Sequence, residues 1–219
     1  MINKATLDFL KSLNKNNNKE WFDKNKKKYL AAKENVEELT GSLIQQFSAF
    51  DKKLSGLKAK DCMFRIYRDV RFSKDKKPYK TNMGATINPG GRKMEIAGYY
   101  IHIEPGKSFL AGGRWMPQGD HLKKIRQEID YNSKDFKKIL NDKSFKKYFG
   151  ELDQTYKLAR PPKGYDKDHQ DIELLKMNSY IAWRQFNDAE VLSKKFLQEV
   201  TKGAKIMKPF LDFLNTAIE

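Results

Sequence analysis

The chain has 219 residues, 44 Lys+Arg against 28 Asp+Glu, a formal net charge of +16 and one cysteine. That length supports one large domain or two small ones, and the lone Cys62 excludes a disulfide framework and a zinc site built on cysteines alone. With 39% hydrophobic and 33% charged residues the composition is that of a folded globular chain, not a disordered one, and no apolar run approaches the roughly 20 residues that span a bilayer.

The N-terminus enters a polar amphipathic pattern with no secretory h-region, so a cytoplasmic location without a membrane partner is expected. Leu7, Phe9, Leu10 and Leu13 mark a short helix, broken by the Asn/Lys run at 14–19. Asn17, three residues before Glu20, suits a capping box. Phe22, Tyr29, Val36 and Leu43 recur every seven residues, with Leu39 and Phe47 on the same face. They predict one long helix from about Glu20 to Phe50, packed on a sheet.

Residues 63–72 alternate as a strand does. Phe64, Ile66, Val70 and Phe72 point one way, and Arg65, Tyr67, Asp69 and Arg71 the other. Arg68 falls on the apolar side and needs a structural partner. A polar loop with Lys77-Pro78-Tyr79-Lys80 follows, then short strands near 84–88 and 94–97, a strong strand at 99–104, and 109–112. Gly112-Gly113 predicts a tight corner carrying Arg114 and Trp115 to the sheet edge.

From Asp120 the period becomes helical: Leu122, Ile125 and Ile129, then Phe136, Ile139 and Leu140 behind Ser133, then Phe145 to Phe149 ended by Gly150. Residues 160–165 form a rigid loop and 172–176 a short helix. Tyr180 to Phe186 is a returning strand by its aromatic and branched content. Leu192 to Leu214 is a final long helix that Pro209 should kink or split. The predicted fold class is α+β: a mainly antiparallel central sheet at about residues 62–116, flanked by the long N-terminal helix and the C-terminal helices, in a single domain over 1–219.

The charge is local as well as large. Arginine supplies eight of the 44 cations, and lysine, a solvated point charge, the rest. Residues 161–219 are neutral, whereas 61–80 carry seven basic and three acidic groups and three of the arginines. On a strand, Arg65, Tyr67, Asp69 and Arg71 would sit about 7 Å apart, close enough for Asp69 to orient both arginines as forked donors. Lys77, Tyr79 and Lys80 add cations and a stacking ring, and Arg114 a further guanidinium. These eight residues form the candidate binding set for a phosphate-bearing or carboxylate ligand. A distributed basic surface for nucleic acid is the alternative. His102 and Glu104, on one face of the strand 99–104 with Tyr100, are the candidate acid–base pair of an enzyme reading.

No metal-ligand spacing, P-loop, dinucleotide fingerprint or nucleophile elbow occurs, so neither metal nor cofactor is expected. The stretch 166–171 lacks the calcium-loop spacing, and Asp168 or Asp171 reads as a helix cap.

Trp21-Phe22 with Tyr29, the run from Phe64-Arg65 through Pro78-Tyr79-Lys80, Gly98-Tyr99-Tyr100, Gly112 to Pro117 and Arg160 to Tyr165 together carry a resemblance. The chain resembles a bacterial and fungal family of conserved hypothetical proteins, the domain of unknown function numbered 2461. Lys77 stands where many members have threonine. The resemblance covers nearly the whole chain. It implies one domain, and it assigns no activity, cofactor or residue role.

Overall fold

The computed structural model describes all 219 residues. Three helices open the chain: α1 (Lys4–Lys15), α2 (Lys19–Lys24) and α3 (Lys26–Ser48). The predicted single helix from Glu20 is thus two, divided at Asn25, whose side-chain amide donates to the Trp21 carbonyl 2.9 Å away. Such side-chain competition for backbone partners is what makes asparagine a helix breaker. The cap of α2 is Asn18, not Asn17: its Oδ1 accepts from the Trp21 N–H at 2.9 Å. Asn17 instead pairs with the backbone of Tyr79 through both its amide atoms.

The remaining elements are α4 (Ala59–Cys62), β1 (Met83–Ile87), β2 (Gly98–Ile103), β3 (Ser108–Arg114), α5 (Gly119–Tyr131), α6 (Ser133–Leu140), α7 (Lys143–Phe149), α8 (Ile172–Leu175), β4 (Tyr180–Phe186), α9 (Asp188–Leu192) and α10 (Phe196–Thr216). The four strands form one antiparallel sheet in the order β1-β2-β3-β4, so the fold is α+β. Residues 94–97 are not a strand. Pro209 lies inside α10 without dividing it.

The main correction falls on residues 63–72, which form no strand. Only the arm 64–68 is bonded: Phe64 N–H donates to Gly84 O, Lys80 N–H to Ile66 O, and Arg68 N–H to Pro78 O, at 2.8–2.9 Å. Isolated antiparallel bridges join Met63 to Ala85 and Tyr67 to Tyr79. The arms of this irregular hairpin separate at Arg68 and Pro78. Of the predicted apolar face, Ile66 is buried, whereas Phe64 is exposed and Phe72 is 96% exposed. The alternation in sequence therefore outlasts the pairing, because Asp69–Lys77 is a loop held by its own side chains.

The chain resolves into two compact units, each assembled from separate segments. The first comprises Met1–Met94, Tyr100–Leu110 and Gln185–Lys202. In it α1 buries Leu7, Leu10 and Leu13, and α3 buries Val36, Leu39, Leu43 and Phe47. The two helices are also tied by Asn35, whose Oδ1 accepts from Asn3 N–H and the Thr6 hydroxyl. Phe22 stacks on Tyr79 with centroids 4.0 Å apart and planes 11° off parallel. That contact clamps the hairpin arm to α2 through two buried rings.

The second unit comprises Glu95–Tyr99, Ala111–Arg184 and Gly203–Glu219. Its core is aromatic: Phe136 packs against Phe210, Phe213 and Tyr180, and Phe145 against Phe210. Gly112 and Gly113 lie within β3, just before its last residue Arg114, and are not a corner after it. A Cβ on Gly113, whose φ is +130°, would stand 1.9 Å from the Tyr180 carbonyl oxygen, so only glycine lets β4 approach. Asp171 precedes α8 but makes no cap bond; its fully buried carboxylate forms an ion pair with Lys137. No helix is long and apolar enough to cross a membrane.

Candidate functional site

The hairpin over 64–84 and the neighbouring strand β2 bring together the chemistry that the sequence offered in two separate places. β2 alternates strictly: Tyr99, Ile101 and Ile103 are buried, while Tyr100 and His102 are half-buried on the other face, followed by Glu104. Alternation puts these three polar groups in a row. The Tyr100 hydroxyl lies 3.0 Å from His102 Nδ1, and His102 Nε2 lies 3.1 Å from Glu104 Oε2. The Thr81 hydroxyl donates to Glu104 Oε1 at 2.8 Å. With Glu104 ionised, His102 donates through Nε2–H and accepts the phenol proton at Nδ1. Phe109 of β3 covers the imidazole, its ring 4.5 Å away and nearly parallel.

Gly84 of β1 makes this row fit. A Cβ there would lie 2.4 Å from the Tyr100 hydroxyl oxygen. The phenol occupies the notch, and its ring meets the edge of Phe64 at 6.1 Å. Lys80 places its ammonium 5.4 Å from the centroid of the same Phe64 ring. Burial, and then the positive charge of Arg65, hold the Lys80 ammonium below its ordinary range. Neither Lys80 nor Arg65 has a carboxylate in ion-pair contact.

Burial also sets the proton affinities in the row. It pushes Tyr100 up to about 12, with the charge of Glu104 adding to the shift. It lowers His102 below its ordinary 6.5, while the hydrogen bond and charge of Glu104 pull the other way. At neutral pH the row therefore holds a protonated phenol and a neutral imidazole.

The candidate binding residues fall into different settings. Arg65 is exposed beside Lys80, and Tyr67 is exposed, its ring tilted against Tyr79. Asp69 holds Arg71 in a two-point fork, Nε to Oδ1 at 3.0 Å and Nη2 to Oδ2 at 2.7 Å. Those bonds, then the Arg71 backbone bond, and last the Arg65 charge hold Asp69 below the ordinary carboxylate range. Lys77 is exposed and its carbonyl accepts from Arg68. Tyr79 is buried, its ring inside the aromatic clamp. Arg114 belongs to the second unit, where it donates to Glu95 at 3.1 Å. Arg68 is the structural arginine its position implied: half-buried, it bonds Asp75, Ser73 and the Lys77 carbonyl and closes the loop.

The scan against family models matches residues 5–213 to the conserved hypothetical protein family DUF2461. The chain belongs to that family. No curated protein and no solved structure matches it. Membership in DUF2461 covers both the hairpin and β2, and it names no reaction. Gly84, Thr81 and Phe109 are the parts of the site that sequence reasoning missed, whereas Tyr100 was placed on the face of His102 and Glu104 but given no role. The Tyr-x-His-x-Glu alternation was a visible signal for Tyr100; the notch at Gly84 depends on a cross-strand register that only the fold supplies.

Proposed function

We propose that the protein binds an anionic ligand, phosphate-bearing or carboxylate, at the Arg65–Lys80 end of the hairpin. The observation that carries this reading is a pair of cations with no carboxylate at ion-pair distance; the carboxylate on which the Arg65 charge acts, Asp69, is already held by Arg71. Lys80 is half-buried against Phe64, and the charge of Arg65 adds to its desolvation. A half-buried ammonium with a second positive charge near it is relieved by an anion between the two. Arg71 and Lys77 lie further along the hairpin, in the loop 69–77, with Asp69 fixing the Arg71 guanidinium and buried Tyr79 fixing the arm.

The test is titration of the protein with inorganic phosphate, followed by amide chemical shifts. Shifts are expected to concentrate at residues 64–66 and 80–81, and to vanish in R65A/K80A. They should survive in R160A, which removes an exposed arginine of the other unit. Uniform small shifts over all exposed lysines would instead mark general screening.

A second reading, single-stranded nucleic acid, is favoured by one side chain. Phe72 is 96% exposed, with the Arg71 guanidinium 5.9 Å from its ring centroid. An exposed ring beside a guanidinium suits base stacking, worth about 1–3 kcal/mol per base. A labelled oligothymidylate would then bind with steep salt dependence and weaken in F72A by roughly 5- to 150-fold. Absence of binding at low salt would remove this reading.

A further inference from the structure

We propose that Tyr100 is the reactive group of this protein, a nucleophile toward a phosphoryl centre, with His102 as the base that takes its proton and Glu104 as the residue that positions His102. The inference rests on the anion site just described for its substrate class, since Lys80 and Tyr100 contact the same Phe64 ring.

The geometry is that of a hydroxyl, an imidazole and a carboxylate joined in line. The phenol oxygen is 3.0 Å from Nδ1, the far nitrogen is 3.1 Å from a Glu104 oxygen, and the other Glu104 oxygen accepts from Thr81. A nucleophile within hydrogen-bond reach of a base that a third group orients is the arrangement covalent catalysis requires. Three features separate this row from a merely satisfied strand. Gly84 removes the one side chain that would displace the phenol. Phe109 lies flat on the imidazole and fixes its plane. Lys80 lies against the Phe64 ring that the phenol also meets, with the Arg65 charge near it, a source of positive charge for phosphoryl oxygens.

The step balances without any further reagent. The Tyr100 oxygen forms a bond to phosphorus while the bond from phosphorus to the leaving oxygen breaks. The phenol proton passes to His102 Nδ1 and stays there as imidazolium, and the leaving oxygen, opposite the phenol, departs as the anion of an acidic leaving group such as a phosphate. Glu104 stays ionised and faces the imidazolium through Nε2–H. A phenol pushed up to about 12 is no standing phenolate, so attack depends on His102 being neutral to receive the proton. The titratable groups facing His102 are Tyr100 and Glu104 of its own row; β3 presents the Phe109 ring.

The test uses two tetrahedral sulfur electrophiles on the full chain, with labelled tyrosines mapped by mass spectrometry. One is anionic, 4-(fluorosulfonyl)benzoate; the other is neutral, phenylmethanesulfonyl fluoride. In each the tyrosine oxygen bonds to sulfur, fluoride leaves and His102 takes the proton. Tyr100 is expected to be labelled at least tenfold faster than Tyr131, which is 78% exposed, and this Tyr100-to-Tyr131 ratio is expected to be larger with the anionic probe. H102Q should abolish the excess, with circular dichroism confirming that the variant is folded. In the wild type the rate should fall with acidity as His102 protonates. E104Q should move that fall to lower pH, because Glu104 raises the affinity of His102 for its proton.

An equal Tyr100-to-Tyr131 excess with both probes would uphold the row and overturn the anion site. Labelling of Tyr100 no faster than Tyr131 by either probe overturns the proposal itself. So does an excess that persists in folded H102Q.

Discussion

His102 shows how one side chain's setting fixes its protonation. Burial lowers its pKa from 6.5, and Glu104 only partly restores it. As pH falls below about 6.5 the unfolded chain takes up a proton that the native histidine resists, so native stability declines there; above that pH the group contributes nothing. Urea midpoints measured at pH 7.5 and 5.5 are expected to drop more for the wild type than for H102Q. Cys62 gives a second expectation. Its thiol is fully buried and is pushed up to about 11 by burial and the Asp61 charge, against the opposing Arg92. A thiol reagent at pH 8 should therefore react only as fast as the protein opens. The arginines also change the meaning of the net charge. Arg92 bonds the carbonyls of Lys60, Asp61 and Met63, and Arg126 those of Leu175 and Met177. With Arg68 they are structural ties, which leaves Arg65 as the unpaired arginine of the hairpin.

At the scale of elements, the hairpin and β2 depend on two packing devices. A methyl group at Gly84 would collide with the Tyr100 phenol, so Gly84→Ala is expected to cost about 1–3 kcal/mol and to displace the hydroxyl from His102. Thermal melts would measure the first effect and the His102 titration the second. Truncating Phe22 to Ala removes the partner of Tyr79 and should cost about 3–5 kcal/mol, more than any change in the exposed loop 69–77. These devices also explain what was legible in the sequence. The heptad of Phe22, Tyr29, Val36 and Leu43 disclosed an apolar face but not the break, because Asn25 acts through a local carbonyl bond. Tyr100, His102 and Glu104 were readable as a row because alternation alone sets it. Residues 63–72 misled, because Val70 and Phe72 keep the alternation after the pairing has ended. Their contacts are made by Arg68 and Asp69 within the loop, and no period reports such contacts.

At the scale of the molecule, β2, β3, β4 and α10 each supply residues to both compact units. Shared strands make independent melting costly, so a single cooperative transition is expected, with equal calorimetric and van't Hoff enthalpies. Two resolved transitions would show that the units unfold separately. The charge of +16 divides into structural arginines, paired and solvated lysines, and the small uncompensated pair at Arg65 and Lys80. Calorimetric titration of pyrophosphate into the wild type and K80M at low salt tests that pair most directly. Loss of one charge-assisted contact should weaken binding about tenfold or more, with R160A unchanged. Equal affinity in wild type and K80M, or no binding to either, would contradict an anion site at this end of the hairpin.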